Sequence, residues 1–225
     1  MKNNLKAEIK NFNSKHSHSQ KDVWNALARQ WQGYRQKPWK DVEKLMHSFI
    51  RKKGRILEIG CGNCRNLLDF ARQGFDCYGL DFSEEMLKQA VVFAKQNRIK
   101  IKLKKAEAEK LPFKKNSFDY ALSIATIHHL KKEDHLKALK EMFRVLKPNG
   151  IAIITAWNHL NPKFWKFLFK KETLIPWKIN DKIYMRYYYF FGFGELRSLV
   201  KKAGFKIIKS SSPLARNIAF VAKKS

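Results

Sequence analysis

The segment Leu57–Cys64, LEIGCGNC, gives the first strong indication of the fold. It joins an apolar run of the strand type to two glycines spaced one residue apart, and glycine lets the backbone turn tightly and approach a ligand closely. A turn of this kind after a first strand holds a nucleotide-like cofactor in open α/β sheets. The dinucleotide-binding version of the motif needs a further glycine where this chain has Arg65, so the sequence disfavours a dehydrogenase.

Strand and helix patterns alternate on both sides of this segment, which is typical of a doubly wound α/β fold. Strands are predicted over Arg55–Ile59, Asp76–Leu80, Lys100–Lys104, Phe118–Ile124, Ile151–Ala156, Phe205–Lys209 and Asn217–Ala222. Helices are predicted over Asn63–Gln73, Ser83–Gln96, Glu133–Leu146 and Glu195–Ala203, and two more precede the core, one from Asp22 and one after Pro38. We therefore expect a single domain over residues 21–225.

Two segments depart from this alternation. Residues 1–20 lack periodicity and are predicted to form a flexible basic arm. The alternation also stops at about residues 158–193, where lysines and aromatic residues alternate within Lys163–Lys171. We interpret this second stretch as an insertion over the active site, which forms either an RNA-facing surface or an amphipathic partner-binding helix.

The composition is strongly basic, with 47 Lys and Arg against 19 Asp and Glu and a formal net charge of +28. This imbalance favours a polyanionic partner, with nucleic acid as the first candidate, although a lysine-rich genome would also explain it. Apolar runs reach only about seven residues, short of the ~20 that cross a bilayer. No secretion signal is visible either, so we expect no membrane span and a cytoplasmic protein.

The three cysteines are too few for a disulfide framework. The C-x-x-C pair of Cys61 and Cys64 has no second Cys or His pair at the spacing of a zinc site, so no metal site is expected.

Glu58, two residues before the first glycine, resembles the acidic residue of class I S-adenosylmethionine-dependent methyltransferases. The resemblance implies a Rossmann-like, mostly parallel seven-stranded sheet with helices on both faces and a terminal antiparallel strand. It also implies S-adenosylmethionine as cofactor, with Glu58 near its cationic methionine end. Cys64 replaces the third glycine of the family, and we expect a small residue to be tolerated there because the position serves strand–helix packing.

Asp81 closes the second predicted strand at the spacing of a ribose-binding carboxylate, and it would also suit the N-terminal cap of the next helix. The segment Glu107–Phe113, EAEKLPF, resembles the adenine loop of the family. The predicted cofactor-binding residues are Glu58, Gly60, Gly62, Asn63, Asp81, Phe82, Glu107 and Ala108.

The acceptor is indicated by Tyr34–Trp39, Ser123–Leu130 and Arg186–Phe190, each of which looks like its counterpart in the tRNA carboxymethyluridine methyltransferases. That subgroup esterifies the carboxymethyl group of the wobble uridine, which implies tRNA as substrate and suggests a small zinc-ribbon activator subunit as partner. A carboxylate is ionised at neutral pH, so it attacks a methyl group without a general base, and orienting groups should dominate.

We assign the catalytic, acceptor-orienting roles to Arg35, His128 and Arg186, because guanidinium groups pair with carboxylate or phosphate. The predicted acceptor or RNA contacts are Lys37, Trp39, Trp157, Tyr187, Arg216 and Asn217, with the aromatic rings as stacking surfaces for unpaired bases. Trp39 and Tyr187 would also serve as simple packing residues.

Two other functions fit the same residues. A methyltransferase for a quinone-like phenol would use His128 as the base that the carboxylate reaction does not need. A non-catalytic RNA-binding module would keep the fold without turnover, and the charge of +28 and the substitution at Cys64 both suit it.

Overall fold

The computed structural model describes residues 19–167 and 170–225. Its helices there are α1 (Gln20–Tyr34), α2 (Lys40–Phe49), α3 (Leu68–Arg72), α4 (Glu84–Gln96), α5 (His135–Val145) and α6 (Phe193–Lys202). The strands are β1 (Arg55–Ile59), β2 (Asp76–Asp81), β3 (Lys102–Lys105), β4 (Phe118–Ile124), β5 (Leu146–Trp157), β6 (Glu172–Ile179), β7 (Lys182–Tyr189), β8 (Phe205–Ser210) and β9 (Asn217–Lys224). Short 3-10 helices cover Arg65–Leu67, Ile127–His129, Lys132–Asp134 and Pro162–Phe167.

Seven of the strands form one sheet in the order β3-β2-β1-β4-β5-β9-β8. Strands β1 to β5 are parallel, and β9 runs antiparallel to both of its neighbours. This topology confirms the predicted mostly parallel seven-stranded sheet with an antiparallel strand at the end of the chain.

Central strand β1 is buried on both faces, which explains its nearly continuous apolar sequence. Ile56 packs with Met46 of α2 and Phe70 of α3 in the core on one face. Leu57, the next residue, packs with Leu139 of α5 in the core on the other face. Successive strand side chains point to opposite faces, so helices cover both sides of the sheet, as predicted.

Residues 1–18 of the predicted basic arm lie outside the described part of the chain. Ser19 caps α1, since its hydroxyl accepts the backbone N–H of Asp22 at 3.2 Å, and Gln20 is the first helical residue. No helix in the described ranges has the length and apolarity that a membrane crossing requires.

The insertion is built mainly as an antiparallel hairpin of β6 and β7, a separate two-stranded sheet. An amphipathic α-helix was one expectation for this stretch. Residues 162–167 form a 3-10 helix instead. Gln20 ties the hairpin to α1, because its side-chain N–H donates to the Met185 carbonyl at 3.0 Å and its carbonyl accepts the Tyr187 N–H at 2.8 Å. The N-terminal helix and the insertion therefore cover the same end of the sheet.

Strands β1 and β4 have the predicted bounds, and the other predicted boundaries shift by a few residues. The helix predicted over Asn63–Gln73 begins late and is interrupted, because Cys64 has a left-handed backbone (φ 63°) and a 3-10 turn follows. Strand β5 begins earlier than predicted, since Leu146 already pairs with Phe118 before a shift in register.

Candidate cofactor and acceptor site

A cavity of 540 Å³ lies at the carboxyl ends of β1, β2 and β4, where open α/β sheets bind ligands. Its wall includes the predicted residues Glu58, Gly60, Gly62, Asp81, Phe82, Glu107, Ala108, Arg35, His128, Trp39, Trp157 and Tyr187. The other predicted residues, Asn63, Lys37, Arg186, Arg216 and Asn217, are not part of that wall. Most of the residues predicted for the cofactor, and about half of those predicted for the acceptor, therefore lie on one cavity wall.

The glycine turn has conformations that a larger residue would strain. Gly60 has φ +67°, and a Cβ added there would lie 2.2 Å from Cγ2 of Thr126. Cys64 also has positive φ, so the third glycine of the motif serves a left-handed backbone and not only the strand–helix packing that we expected. Its thiol is buried beside Cys61 at Gly79, where an added Cβ would meet both sulfur atoms within 3 Å.

Glu58 is a buried carboxylate, 1% exposed, at the end of β1. Its Oε1 accepts a hydrogen bond from the Asn66 side-chain amide, while Oε2 has no partner in the described part of the chain. Burial raises the pKa of Glu58 to about 7, against the opposing hydrogen bond from Asn66. A buried carboxylate oxygen without a partner, on a cavity wall, suits a cationic ligand group.

Asp81 joins the end of β2 to the glycine turn. Its Oδ2 accepts the Gly62 N–H at 2.9 Å, and its Oδ1 accepts the Ser83 N–H at 2.9 Å. The capping role belongs to Ser83, whose hydroxyl accepts the Met86 N–H at the start of α4. Each carboxylate oxygen of Asp81 keeps acceptor capacity for a ligand hydroxyl, and burial raises its pKa to about 6.

Asn63, which was predicted to bind the cofactor, is not part of the cavity wall. Its side chain is buried, and its amide N–H donates to the backbone carbonyl of Arg35 at 2.7 Å. Asn63 therefore fixes the end of α1 against the glycine turn, and it acts on the cavity through Arg35.

Arg35 lines the cavity and Arg186 lies on β7 outside its wall, and neither forms an ion pair with a carboxylate of the described residues. The Arg35 guanidinium lies 5.2 Å from the Trp31 ring centroid, and that of Arg186 lies 4.6 Å from the Trp177 ring. The Nε of each is buried with no hydrogen-bond partner among residues 19–167 and 170–225. Burial lowers the pKa of Arg186, and the nearby charge of Arg35 lowers it further. Arg186 is buried and Arg35 is half-buried, and unpaired cations in such positions attract an anion.

His128 is buried with a defined tautomer. The Trp157 backbone N–H donates to its Nδ1 at 3.2 Å, so Nδ1 is unprotonated. Burial holds the pKa of His128 well below its ordinary value, so the ring is neutral and its proton lies on Nε2. That buried Nε2 has no partner elsewhere in the described chain, so it offers a free N–H donor.

The predicted aromatic contacts differ in how free their rings are. Trp157, the last residue of β5, stacks on Phe164 and on Tyr188, with ring centroids 4.5 Å apart in each pair. These contacts pack the insertion against the end of β5. Trp39 and Tyr187 line the cavity and also pack on the core. Lys37 and Arg216 are exposed, and Asn217 pairs with Trp157 across β5 and β9.

Several cavity residues were missed at the level of sequence. The ring of Trp24 contacts both Trp31 and His129, so α1 builds part of the cavity from side chains whose helical spacing indicated only packing. Arg65 also lines the cavity wall. The sequence argument used this residue only as evidence against a dinucleotide-binding motif. His129 reaches the cavity as well, and its Nδ1 lies 3.1 Å from the Tyr187 carbonyl.

A further cluster lies on α2 and α3. Glu43, His47 and Asp69 bring potential ligand atoms within 4.8 Å of one another, and His47 already pairs with Asp69 at 3.5 Å. None of the three lines the cavity.

The chain resembles known methyltransferases in sequence and in structure. A family described as "Methyltransferase domain" matches residues 57–154. The demethylmenaquinone methyltransferase of Staphylococcus carnosus is 32% identical over 191 residues, 78% of this chain and 77% of that protein. The tRNA (carboxymethyluridine(34)-5-O)-methyltransferase of Schizosaccharomyces pombe is 28% identical over 213 residues, 83% and 88% of the two chains.

Among solved structures, the complex between the Haloferax volcanii Trm112 methyltransferase activator and the putative methyltransferase superposes with a TM-score of 0.70. The sequence identity is 17%, and the match covers 92% of this chain and 97% of that one. At this identity the likeness concerns the fold.

The sheet order, the glycine turn and the buried carboxylates beside it define a Rossmann-like domain with a ligand cavity. Together with these matches, they show that the chain belongs to the class I S-adenosylmethionine-dependent methyltransferase family. S-adenosylmethionine is its cofactor.

Proposed function

We propose that this methyltransferase esterifies the carboxylate of 5-carboxymethyluridine at the wobble position of tRNA. The observation that carries the proposal is that the three residues predicted to orient the acceptor offer only donors. His128 presents an N–H, and Arg35 and Arg186 present guanidinium groups that lack carboxylate partners. Such groups orient an anion and supply no base, which suits an acceptor that is already ionised.

The cofactor-side residues fit S-adenosylmethionine. Oε2 of Glu58 would face its cationic methionine end, Asp81 its ribose hydroxyls, and Glu107 with Ala108 its adenine. Phe82 and the glycines Gly60 and Gly62 complete this wall. When bound, the cofactor supplies a methyl group on a sulfonium sulfur.

In the proposed reaction, an acceptor carboxylate oxygen forms a bond to the methyl carbon while the carbon–sulfur bond breaks. No proton is transferred, so the protein contributes mainly by holding the oxygen in line and excluding water. Arg35 and His128 would bind the carboxylate at the cavity wall, and Arg186 behind them would bind the acceptor or its phosphate.

A quinone-like phenol is the second candidate acceptor, and His129 is the observation that favours it. The Tyr187 carbonyl can only accept, so His129 carries its proton on Nδ1 and leaves a lone pair on Nε2. Burial, however, lowers the pKa of His129 to about 3, which makes it a weak base toward a phenol. The demethylmenaquinone relative keeps this alternative open to test.

The same proposal gives the chain two partners. A net charge of +28 suits tRNA, and a tRNA-modifying role would place the chain with cytoplasmic tRNA. A small zinc-ribbon activator is proposed at the free edge of the sheet. At the β3 edge, the exposed Val91 of α4 lines a groove of 500 Å³ together with residues of β3, and the next residue, Val92, is exposed as well.

The deciding experiment is transfer of labelled methyl to tRNA that lacks the wobble ester, with and without a zinc-ribbon partner, followed by nucleoside mass analysis. An alkali-labile methyl on a wobble uridine supports the proposal. Label on another nucleoside keeps the RNA enzyme and removes the ester chemistry. Label on a phenol without RNA supports the second candidate, and failure to bind S-adenosylmethionine would leave the non-catalytic RNA-binding module. Full activity of the chain alone would argue against an obligatory activator.

A further inference from the structure

Arg65 is a buried cation on the cofactor side of the cavity. It is 8% exposed, begins the 3-10 turn directly after the glycine segment, and lines the cavity wall. Its Nε has no hydrogen-bond partner in the described ranges. Neither does it appear among the ion pairs found there, although burying a guanidinium without a partner is costly.

The surrounding charges show which kind of group is missing. Burial lowers the pKa of Arg65, the carboxylate of Glu58 opposes this effect, and the charge of Arg35 adds to it. Glu58 therefore acts on Arg65 electrostatically, yet the two form no ion pair. Both residues line the cavity, where Oε2 of Glu58 lacks a donor and Nε of Arg65 lacks an acceptor among the described residues.

We propose that Arg65 binds the α-carboxylate of the cofactor's amino acid end while Oε2 of Glu58 binds its α-ammonium. A zwitterion carries these two groups on one carbon, so it satisfies both unpartnered atoms at once. The assignment leaves Arg35 and Arg186 for an anionic acceptor, and it rests on the cofactor alone rather than on the identity of that acceptor. It also gives a function to the residue that replaces the glycine of a dinucleotide motif.

The competing assignment gives the carboxylate to Arg35, which lies close enough to influence Arg65. The two arginines come from different elements, Arg35 from the end of α1 and Arg65 from the glycine turn. Arg35 additionally lies against the Trp31 ring, while Arg65 has no such contact among the described residues. Variants of the two residues therefore separate the assignments.

The experiment is calorimetric binding of S-adenosylhomocysteine and of its decarboxylated analogue, S-adenosyl-3-thiopropylamine, at fixed pH. Wild-type protein should bind the first about 10- to 100-fold more tightly, the range of a charge-assisted hydrogen bond. Arg65→Gln should reduce this ratio to about threefold or less and leave the affinity for the analogue unchanged. Arg65→Lys should give an intermediate ratio, since it keeps the charge and loses the bidentate geometry.

Arg35→Gln is the matched control, and it should keep the wild-type ratio. If the preference for S-adenosylhomocysteine over the decarboxylated analogue is lost in Arg35→Gln but kept in Arg65→Gln, the proposal is overturned and Arg35 binds the carboxylate. Equal wild-type affinity for both ligands would also overturn it, and this outcome requires no variant to fold. If Arg65→Gln binds S-adenosylhomocysteine normally and tRNA weakly, Arg65 belongs to the acceptor side and the proposal fails.

Discussion

The backbone N–H of Trp157 donates to Nδ1 of His128, and this one contact sets what His128 offers to a substrate. It occupies the lone pair that a general base would use and leaves the N–H on Nε2. In the phenol hypothesis His128 acts as the base, and this geometry does not support that role. A donor is suited instead to an anionic acceptor.

His128 should therefore leave no titration step in the methylation rate near neutral pH. Burial holds its pKa well below the ordinary value, so the ring stays neutral from about pH 6 to about pH 9. The measurement is the single-turnover rate with saturating cofactor and tRNA. His128→Ala should lower this rate about 10- to 100-fold through loss of the donor. A wild-type rate that rises with an apparent pKa near 6.5 would contradict the assignment.

Cofactor affinity should depend on the ionisation of Glu58. Its pKa of about 7 in the free protein must fall when a cationic group binds, so affinity for S-adenosylhomocysteine should rise with pH through about 7 and level off above it. Calorimetry in buffers of different ionisation enthalpy should detect proton release below pH 7. In Glu58→Gln the affinity should be weaker and this pH dependence absent.

Ionisation of the Glu58 carboxyl group should lower the free energy of unfolding of the cofactor-free protein. Burial raises its folded pKa above the unfolded value, so the native state holds the proton more tightly and loses stability as pH rises from about 4.5 to about 7. Glu58→Gln should then be more stable than wild type at pH 8, by on the order of 1–3 kcal/mol. Urea unfolding of both proteins at pH 4.5 and at pH 8 measures this difference. Equal stabilities of the two proteins at pH 8 would show that burial does not destabilise the ionised Glu58.

Gly60→Ala should unfold the glycine turn, because the added Cβ would lie 2.2 Å from Thr126 and the residue has positive φ. We expect a loss of about 2–4 kcal/mol in the free energy of unfolding. Gly194 is the matched control, since a Cβ there meets nothing within 4 Å. Gly194→Ala lies in α6 and should be neutral or slightly stabilising.

Arg186→Gln should weaken the use of tRNA without affecting the cofactor. Loss of a buried guanidinium that binds an anion should lower kcat/KM for tRNA about 10- to 100-fold at unchanged affinity for S-adenosylhomocysteine. Lys182→Gln removes the same charge from an exposed position on the same strand and should change kcat/KM less than about twofold. Equal effects of the two substitutions would show that only overall charge matters.

Sequence alone determined the architecture, because strand and helix periodicity and turn chemistry are local properties. The alternating pattern and the glycine turn predicted the sheet, the bounds of β4 and the cavity wall around Glu58 and Asp81. The prediction that the third glycine position serves packing missed the positive φ of Cys64, since a residue type does not reveal which dihedral angles a turn imposes.

Only the tertiary structure decided which polar groups meet. Asn63 binds the carbonyl of Arg35, 28 residues away, and Trp157 fixes the tautomer of His128, 29 residues away. The hairpin of the insertion lies against α1 because Gln20, more than 160 residues earlier, hydrogen-bonds to its β7 strand. Such contacts depend on how distant elements pack, so no local pattern encodes them. For the same reason, only the tertiary structure shows that Nε of Arg65 is buried without a partner among the described residues.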